Sequence, residues 1–390
     1  MTKLIIEFDS LPVWRGCVAN SKEYLSLSLS IVADDSGLMY QPLTEELERS
    51  VISNYSHSDY KFITKPPGYS KWANYLGDQL FDFSASVITE RQRLRILEIG
   101  GGSTYIAKKI CEKFAVQEYI IMDPALDPND VDAFTNINIV SEYYSGQDMG
   151  NFDVVLMFNC LEHIPDPFSV LASISKIKNQ KSEPPEIGLV FPNVQDQLLR
   201  HDLNVFLHEH INYFTPKAIL SAAAYAGFKI LSYQSDGDEF KLILKASSHV
   251  LRNDRAVHDL RNDVTSVAER FHGNLEDVSE RLASHLNSGR IIGFHGANNG
   301  LNNFFHIFPW NGSKSRAFIF DGDDSKKDMY LPTIPEVPIS SLKDKLTTQP
   351  EILIVSAVTY YDQIKKYWMD QRDYSDLQVL PLFDVDKFIQ

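Results

Sequence analysis

The sequence has few cysteines, no cluster of basic residues and no long apolar run. Only Cys17, Cys111 and Cys160 occur in 390 residues, with no C-x-x-C pair and no histidine at ligand spacing. This scarcity argues against a disulfide framework and a cysteine-based zinc site, so we expect no bound metal. No segment approaches the roughly 20 apolar residues of a membrane span, and the N-terminus has no signal-peptide run. We therefore expect a cytoplasmic protein.

The charge distribution narrows the choice of partners. The formal net charge is −15, and no block of Lys or Arg is present. Binding to nucleic acid or to an anionic membrane surface depends on clustered cations, so we expect neither partner. The composition, 44% apolar and 23% charged, is that of an ordinary globular protein. A small-molecule substrate and a monomer or homodimer are the expectation.

The pattern of apolar and polar residues along the sequence predicts an α/β protein with several domains. Residues 1–90 are predicted to form an N-terminal cap, with a turn at Lys65–Gly68 and a helix at Tyr69–Thr89. Residues 91–248 alternate short apolar runs with amphipathic helices, which is typical of a parallel sheet. Residues 249–288 have apolar residues at helical spacing and are predicted to be a helical connector that ends at Gly289. A second α/β pattern covers residues 289–390. The predicted strands are 95–99, 118–122, 153–158, 187–191, 229–233, 240–245, 291–294, 317–320 and 352–355.

A glycine-rich turn carries the strongest chemical signal. Glu98 and Ile99 end a predicted strand, and Gly100, Gly101 and Gly102 follow before a helix. Glycines let the backbone approach a ligand closely, and a helix N-terminus offers free N–H groups. The G-x-G-x-x-G spelling of dinucleotide sites fails here. The next strand ends in Asp123, about twenty residues on, where a carboxylate can accept both hydroxyls of a ribose.

A third motif follows in order. The segment Phe152–Pro167 contains a strand, a polar rim with Asn159, Leu161 and His163, and a proline turn. With the first two motifs, it resembles the class I S-adenosylmethionine-dependent methyltransferases. The resemblance implies that Glu98 and Gly100–Gly102 line the methionine end of the cofactor and that Asp123 holds the ribose. It also implies that Asn159 and Leu161 line the methyl-transfer channel. A histidine at this turn more often braces the loop than helps catalysis, and His163 is also a candidate for substrate contact.

A narrower resemblance lies further along the chain. Phe206–Thr215, with the run His208-Glu209-His210 and Tyr213, is similar to a segment of the sugar C-methyltransferases of deoxysugar biosynthesis. The stretches Gly293–Gly300, Asp321 with Lys326 and Lys327, and Val337–Ile339 look like the C-terminal domain of the same family. The resemblance implies a Rossmann-like methyltransferase domain, a second Rossmann-like substrate domain and a sugar-nucleotide substrate. Asn298 and Asn299 lie in its glycine-rich turn, which suits a diphosphate.

This sequence departs from that family in two places. The family begins with a four-cysteine zinc knuckle, of which only Cys17 remains, and Leu207 stands where the family has a tyrosine. C-methylation beside a ketone needs a base, and His210 suits this role because an imidazole has a pKa of about 6.5. Glu209 or His208 is predicted to orient it or to contact a substrate hydroxyl. The same cluster also fits a structural role ahead of a helix capped by Thr215.

Three alternatives stay open at this point. An O- or N-methyltransferase acting on another small metabolite is favoured by Leu207 and by the missing cysteines. A non-catalytic ligand-binding protein is disfavoured by the intact glycines and Asp123. A nicotinamide oxidoreductase that uses the turn at Gly293–Gly300 ranks last, because that turn reads G-x-x-G-x-x-x-G and no acid clearly ends the next strand at dinucleotide spacing.

Overall fold

A computed structural model describes most of the chain. The described residues are 2–19, 24–35, 37–49, 71–89, 93–131, 134–235, 238–247, 260–287, 289–309, 316–344, 349–371 and 376–383. The turn predicted at Lys65–Gly68 lies outside them. The helix predicted at Tyr69–Thr89 is confirmed as Lys71–Val87.

Strands and helices alternate through most of the chain. The strands are β1 Lys3–Pro12, β2 Ser26–Ala33, β3 Met39–Tyr40, β4 Leu94–Ile99, β5 Val116–Met122, β6 Ile137–Val140, β7 Val154–Phe158, β8 Glu186–Pro192, β9 Asn212–Tyr213, β10 Phe228–Ser235, β11 Glu239–Ala246, β12 Ile292–His295, β13 Ala317–Asp321, β14 Ile339–Ser341, β15 Ile352–Val355 and β16 Gln378–Pro381. The helices used below are α1 Lys71–Val87, α2 Tyr105–Lys113, α3 Pro167–Ile174, α4 Val194–Leu199, α5 Pro216–Tyr225, α6 Leu260–Asn287, α7 Asn299–Ile307 and α8 Tyr361–Met369.

The chain divides into two compact units whose segments interleave along the sequence. The first unit comprises Met1–Lys3, Val32–Asn193 and Glu209–Asn262. The second comprises Leu4–Ile31, Val194–His208 and Asp263–Gln390. The run His208-Glu209-His210 is therefore shared, with His208 in the second unit and the other two residues in the first.

The first unit contains a seven-stranded sheet in the order β10-β11-β8-β7-β4-β5-β6. Its strands from β8 to β6 are parallel, and β11 pairs antiparallel with β8 and with β10. Parallel strands joined by helices bury both faces of a sheet. This arrangement confirms the predicted α/β fold of Rossmann-like type, although β6 was not predicted from the sequence.

Alternate residues of the central strands supply the two faces of this sheet. Val154, Leu156 and Phe158 of β7 join one buried cluster, whereas Val155 and Met157 join the other. Helices α1 and α2 cover the first cluster, and α3 and α5 cover the second. The continuous apolar run of β7 therefore reflects burial on both sides.

The second unit contains a five-stranded parallel sheet in the order β14-β13-β12-β15-β16. The three strands predicted here from the sequence are confirmed, and β14 and β16 were not predicted. The apolar residues predicted at helical spacing lie on helix α6. Those of them that are buried include Val267, Phe271, Leu275, Val278 and Leu282. None of the described helices has the length and apolar character needed to cross a membrane.

Three strands of the predicted N-terminal cap were not anticipated. Within the first unit, β3 pairs antiparallel with the end of β2 and with β9. The latter pairing joins Met39 to Tyr213 and Tyr40 to Asn212. It fixes the residues that directly follow His210.

Candidate active site

The turn between β4 and α2 has a backbone that requires glycine. Gly100 and Gly102 have φ values of +73° and +62°, in the left-handed region that other residues rarely adopt. A Cβ added at Gly100 would lie 2.5 Å from the Sγ atom of Cys160. The turn runs into the N-terminus of α2, where backbone N–H groups have no partner within the helix. This geometry fits the close approach of a nucleoside-type ligand.

Asp123 follows β5 and anchors the glycine turn. Its Oδ2 atom accepts a hydrogen bond from Gly102 N at 2.8 Å, and its Oδ1 atom accepts one from Ala125 N at 2.8 Å. Burial raises the pKa of this carboxyl above its ordinary value. Each carboxylate oxygen has two lone pairs, so both can still accept a ribose hydroxyl. The predicted ribose role is therefore compatible with the structure and stays a prediction.

Glu98 lies beneath the turn. The residue is buried, and the Tyr119 hydroxyl donates to its Oε2 atom at 2.8 Å. A Cβ added at Gly101 would lie 3.3 Å from the carboxyl carbon of Glu98. Burial raises the pKa of Glu98 to about 7. The carboxyl group supports the floor of the turn, a role that sequence reasoning did not assign and that requires Tyr119 as its partner.

The loop after β7 lies at the same edge of the sheet. Strands β4 and β7 are parallel neighbours, and Ile99 is opposite Met157. Their carboxyl ends therefore meet at one edge, where parallel α/β sheets bind ligands. Cys160 packs against Gly100 at this edge. This loop, residues 159–166, is called the β7 loop below.

The two predicted channel residues of this loop differ in exposure. Asn159 is exposed and has φ of +46°, a conformation that asparagine tolerates better than most residues. Leu161 is 1% exposed and belongs to the buried cluster under the sheet. Asn159 is therefore accessible at the rim, whereas Leu161 positions the loop from below.

A second segment, residues 209–213, is fastened to the β7 loop. The contacts that join them are Ile211 N to the Glu162 carbonyl at 2.9 Å, His163 Nδ1 to the Glu209 carbonyl at 2.9 Å, and Asn212 Nδ2 to the Ile164 carbonyl at 2.6 Å. On the other side, Gln41 Nε2 donates to the His210 carbonyl at 3.0 Å. These bonds bring together residues that are more than 40 positions apart in the sequence.

The result is a cluster of Glu162, His163 and His210, called the Glu-His-His cluster below. The rings of His163 and His210 have centroids 5.0 Å apart in an edge-to-face arrangement. The Oε1 atom of Glu162 is 3.9 Å from Nε2 of His163. Burial raises the pKa of Glu162 to about 7. Sequence reasoning gave no role to Glu162, although it directly precedes His163 in the third motif.

The other residues predicted at this site lie deeper. Glu209 and Tyr213 are buried, and the Glu209 carbonyl accepts the hydrogen bond from His163. The predicted capping of α5 is confirmed, because Thr215 Oγ1 accepts from Ala218 N at 3.2 Å. Of the predicted catalytic residues in the first unit, His210 is the half-buried one.

The predicted residues of the second unit have structural partners there. Nε2 of the buried His208 is 3.2 Å from the Leu27 carbonyl, and burial lowers the pKa of its imidazole. Asn298 caps α7 by accepting from Leu301 N at 2.9 Å. The Asn299 amide donates to the Phe206 carbonyl at 2.9 Å. Substrate contacts by the two asparagines stay predictions.

Comparison with known proteins identifies the class. Residues 72–233 match the protein family described as "Methyltransferase domain". No curated protein matches the chain. The N-methyltransferase NodS from Bradyrhizobium japonicum, solved with S-adenosyl-L-homocysteine, is 10% identical and matches over 52% of this chain and 99% of its own, with a TM-score of 0.36. An S-adenosylmethionine-dependent methyltransferase from Mesorhizobium loti is 10% identical over 43% of this chain and 99% of its own, with a TM-score of 0.33. These scores are too low to carry an argument about the reaction.

The matched range contains the glycine turn, Asp123 and both segments of the Glu-His-His cluster. Together with the sheet order, it defines the class as the S-adenosylmethionine-dependent methyltransferases. The chain is an enzyme of this class, and its cofactor is S-adenosylmethionine. That the glycine turn lines the methionine end of this cofactor and that Asp123 holds its ribose stay predictions, and the open backbone of the turn and the two acceptor oxygens of Asp123 are compatible with them.

Proposed function

We propose that this enzyme methylates a sugar nucleotide or a related carbohydrate on a carbon beside a ketone, through an enolate. The resemblance of Phe206–Thr215 and of the C-terminal zone to the sugar C-methyltransferases supports this substrate class. The observation that carries the proposal is the position of His210. Its half-buried ring lies beside the β7 loop, at the sheet edge that also holds the glycine turn.

The chemistry requires a base because a carbon beside a ketone is not nucleophilic until it loses a proton. S-adenosylmethionine supplies an electrophilic methyl group when bound. His210 accepts the proton from the acceptor C–H bond on a ring nitrogen, and the electron pair moves into the enolate. The cofactor would supply its methyl group to the enolate carbon and leave as S-adenosylhomocysteine.

The surroundings of His210 suit a positioned base. The bond from Gln41 fixes its carbonyl, and its ring contacts His163 and also Tyr213, with centroids 6.3 Å apart. A general base must stay within hydrogen-bonding reach of the proton that it removes. A ring held through its backbone and two aromatic neighbours meets this requirement better than one on a mobile loop.

Hydrogen exchange in deuterated water tests the proposal without the methyl donor. Keto-sugar nucleotides are incubated with the enzyme and S-adenosylhomocysteine, and loss of the proton beside the ketone is followed by NMR. We expect exchange with the native enzyme and a fall of about 100- to 10,000-fold with His210→Gln, the usual contribution of a general base. S-adenosylhomocysteine affinity should stay nearly unchanged in this variant.

His306→Gln is the matched control. This half-buried histidine belongs to the second unit, where its Nδ1 atom is 3.1 Å from the Tyr24 hydroxyl. The control should exchange protons like the native enzyme. Absence of exchange with every keto sugar, together with a methyl group recovered on oxygen or nitrogen, would refute enolate formation and leave the methyltransferase class intact.

O- or N-methylation of another small metabolite is the second candidate. Leu207 favours it because the hydroxyl of the family's tyrosine is missing. The Glu-His-His cluster favours it as well, since a hydroxyl or ammonium acceptor needs only one group to take its proton. NMR of the methylated product assigns the acceptor atom directly.

A further inference from the structure

The Glu-His-His cluster has the ligand set and the spacing of a metal site. One ligand atom each from Glu162, His163 and His210 lie within 4.8 Å of one another. Nitrogen and carboxylate oxygen ligands bind Zn²⁺ at about 2.0 to 2.2 Å, which places ligands roughly 3.4 Å apart in a tetrahedral site. Small side-chain rotations would close the remaining distance. All three side chains belong to the first unit.

The hydrogen bond of His163 orients its ring for such a role. Nδ1 lies 2.9 Å from the Glu209 carbonyl, and a carbonyl oxygen can only accept, so Nδ1 carries the proton. In the neutral imidazole the lone pair is then on Nε2, the atom that faces Glu162 at 3.9 Å. Histidines that bind metals usually donate their other N–H to a carbonyl or carboxylate in this way.

Glu162 gives an independent indication. The residue is only 2% exposed. No donor in the described part of the chain lies within hydrogen-bonding distance of its Oε2 atom. A buried carboxylate is costly unless it is well paired, and such groups are normally ion-paired or bound to a metal. Its other oxygen, Oε1, lies 3.9 Å from Nε2 of His163, so the carboxylate belongs to the same cluster.

We infer that Glu162, His163 and His210 bind a divalent transition-metal cation at the edge of the methyltransferase sheet. Two imidazoles and one carboxylate suit Zn²⁺, Co²⁺, Fe²⁺ or Mn²⁺ better than Ca²⁺ or Mg²⁺, which prefer oxygen ligands. Three protein ligands leave a coordination position open for an acceptor oxygen. The inference departs from the sequence-based expectation of no metal, which weighed cysteine ligands alone.

Metal binding changes the role of His210. The lone pair that would remove a proton is the one that a cation would occupy, so His210 cannot be base and ligand at the same time. A hydroxyl bound at the open position would be more acidic on the metal and would lose its proton to solvent water, without a protein base. The metal-bound state therefore suits O-methylation. The site itself depends on neither candidate reaction.

Metal titration of the whole, tag-free enzyme tests the inference directly. After treatment with a chelator, the protein is dialysed against Co²⁺ and Zn²⁺, and the bound metal is counted. We expect one equivalent per chain. Loss of a group that only hydrogen-bonds a metal ligand typically weakens metal affinity 10- to 100-fold. Loss of a ligand itself, in Glu162→Gln or His210→Gln, should therefore weaken it by about 100-fold or more.

Glu239→Gln is the matched control for charge. Its carboxylate acts electrostatically on Glu162 but lies outside the cluster, so this variant should change the affinity far less than either ligand variant. Thermal unfolding and S-adenosylhomocysteine binding of the metal-free variants check that each one folds. Binding below one equivalent in the native enzyme, or full binding in both ligand variants, would overturn the metal site. Either outcome leaves the proton-exchange proposal standing, whereas one equivalent of metal bound through His210 would exclude His210 as the base in the metal-bound state.

Discussion

Replacement of Asp123 by alanine tests the cofactor site most directly. The carboxylate accepts backbone hydrogen bonds from Gly102 and Ala125, both at 2.8 Å, and is predicted to accept the ribose hydroxyls as well. Asp123→Ala removes the ribose bonds and also releases the N–H of Gly102 in the turn. We expect weaker binding of S-adenosylhomocysteine and a less ordered turn.

The size of the loss follows from the number and kind of bonds. Hydrogen bonds to a charged group contribute about 1.5 to 3 kcal/mol. At about 1.4 kcal/mol for each factor of ten, this range predicts a 10- to 150-fold rise in Kd. The two backbone donors that lose their acceptor place the expected value toward the upper end.

Titration calorimetry with S-adenosylhomocysteine and with NAD measures this effect. Asp130→Ala is the control, because it removes an exposed carboxylate from the same connection and should leave Kd unchanged. Equal losses in the two variants would show that net charge, and not the position of Asp123, matters. Tighter binding of NAD than of S-adenosylhomocysteine would refute the reasoning about the glycine turn.

Three further predictions concern the same sheet edge. Gly100→Ala should abolish S-adenosylhomocysteine binding in calorimetry, because the backbone there has φ of +73° and an added Cβ would clash with Cys160. Gly322→Ala should not, because there is open space around that position. The pKa of Glu98 is raised from 4.5 to about 7, so the folded state holds a proton that the unfolded state releases, and stability falls as pH rises through that window. The free energy of unfolding of Glu98→Gln, measured in urea, should therefore rise relative to that of the native enzyme between pH 4.5 and 7, by roughly 3 kcal/mol at most. A difference between the two proteins that does not change with pH would contradict this. Gln41→Leu, which leaves the His210 carbonyl without its donor, should lower kcat with little change in cofactor affinity.

Much of the first sheet could be predicted from the sequence because its central strands contain short, mostly apolar runs. β4, β5, β7 and β8 are buried on both faces, and such strands stand out from their polar connections. β6 is only four residues long and alternates buried with more exposed positions, so it resembled a loop. The N-terminal strand β1 has an irregular burial pattern, which hid it among the residues of the predicted cap.

The glycine turn and Asp123 were predictable because each directly follows a strand. The Glu-His-His cluster was not, since Glu162 and His210 are 48 residues apart and meet through backbone bonds. No local pattern records the bond from Ile211 N to the Glu162 carbonyl. His208 is adjacent to His210 in sequence but belongs to the second unit, where its Nε2 atom is 3.2 Å from the Leu27 carbonyl, and its catalytic role stays a prediction.

The alternating burial of β7 constrains how this enzyme can change in evolution. Val154, Leu156 and Phe158 face one cluster, while Val155 and Met157 face the other. A one-residue insertion or deletion within the strand would exchange the two sets and rotate Asn159 and the β7 loop away from the glycine turn. Insertions and deletions in homologous sequences should therefore be absent from this strand. They should be concentrated in exposed connections such as Asp127–Asp130.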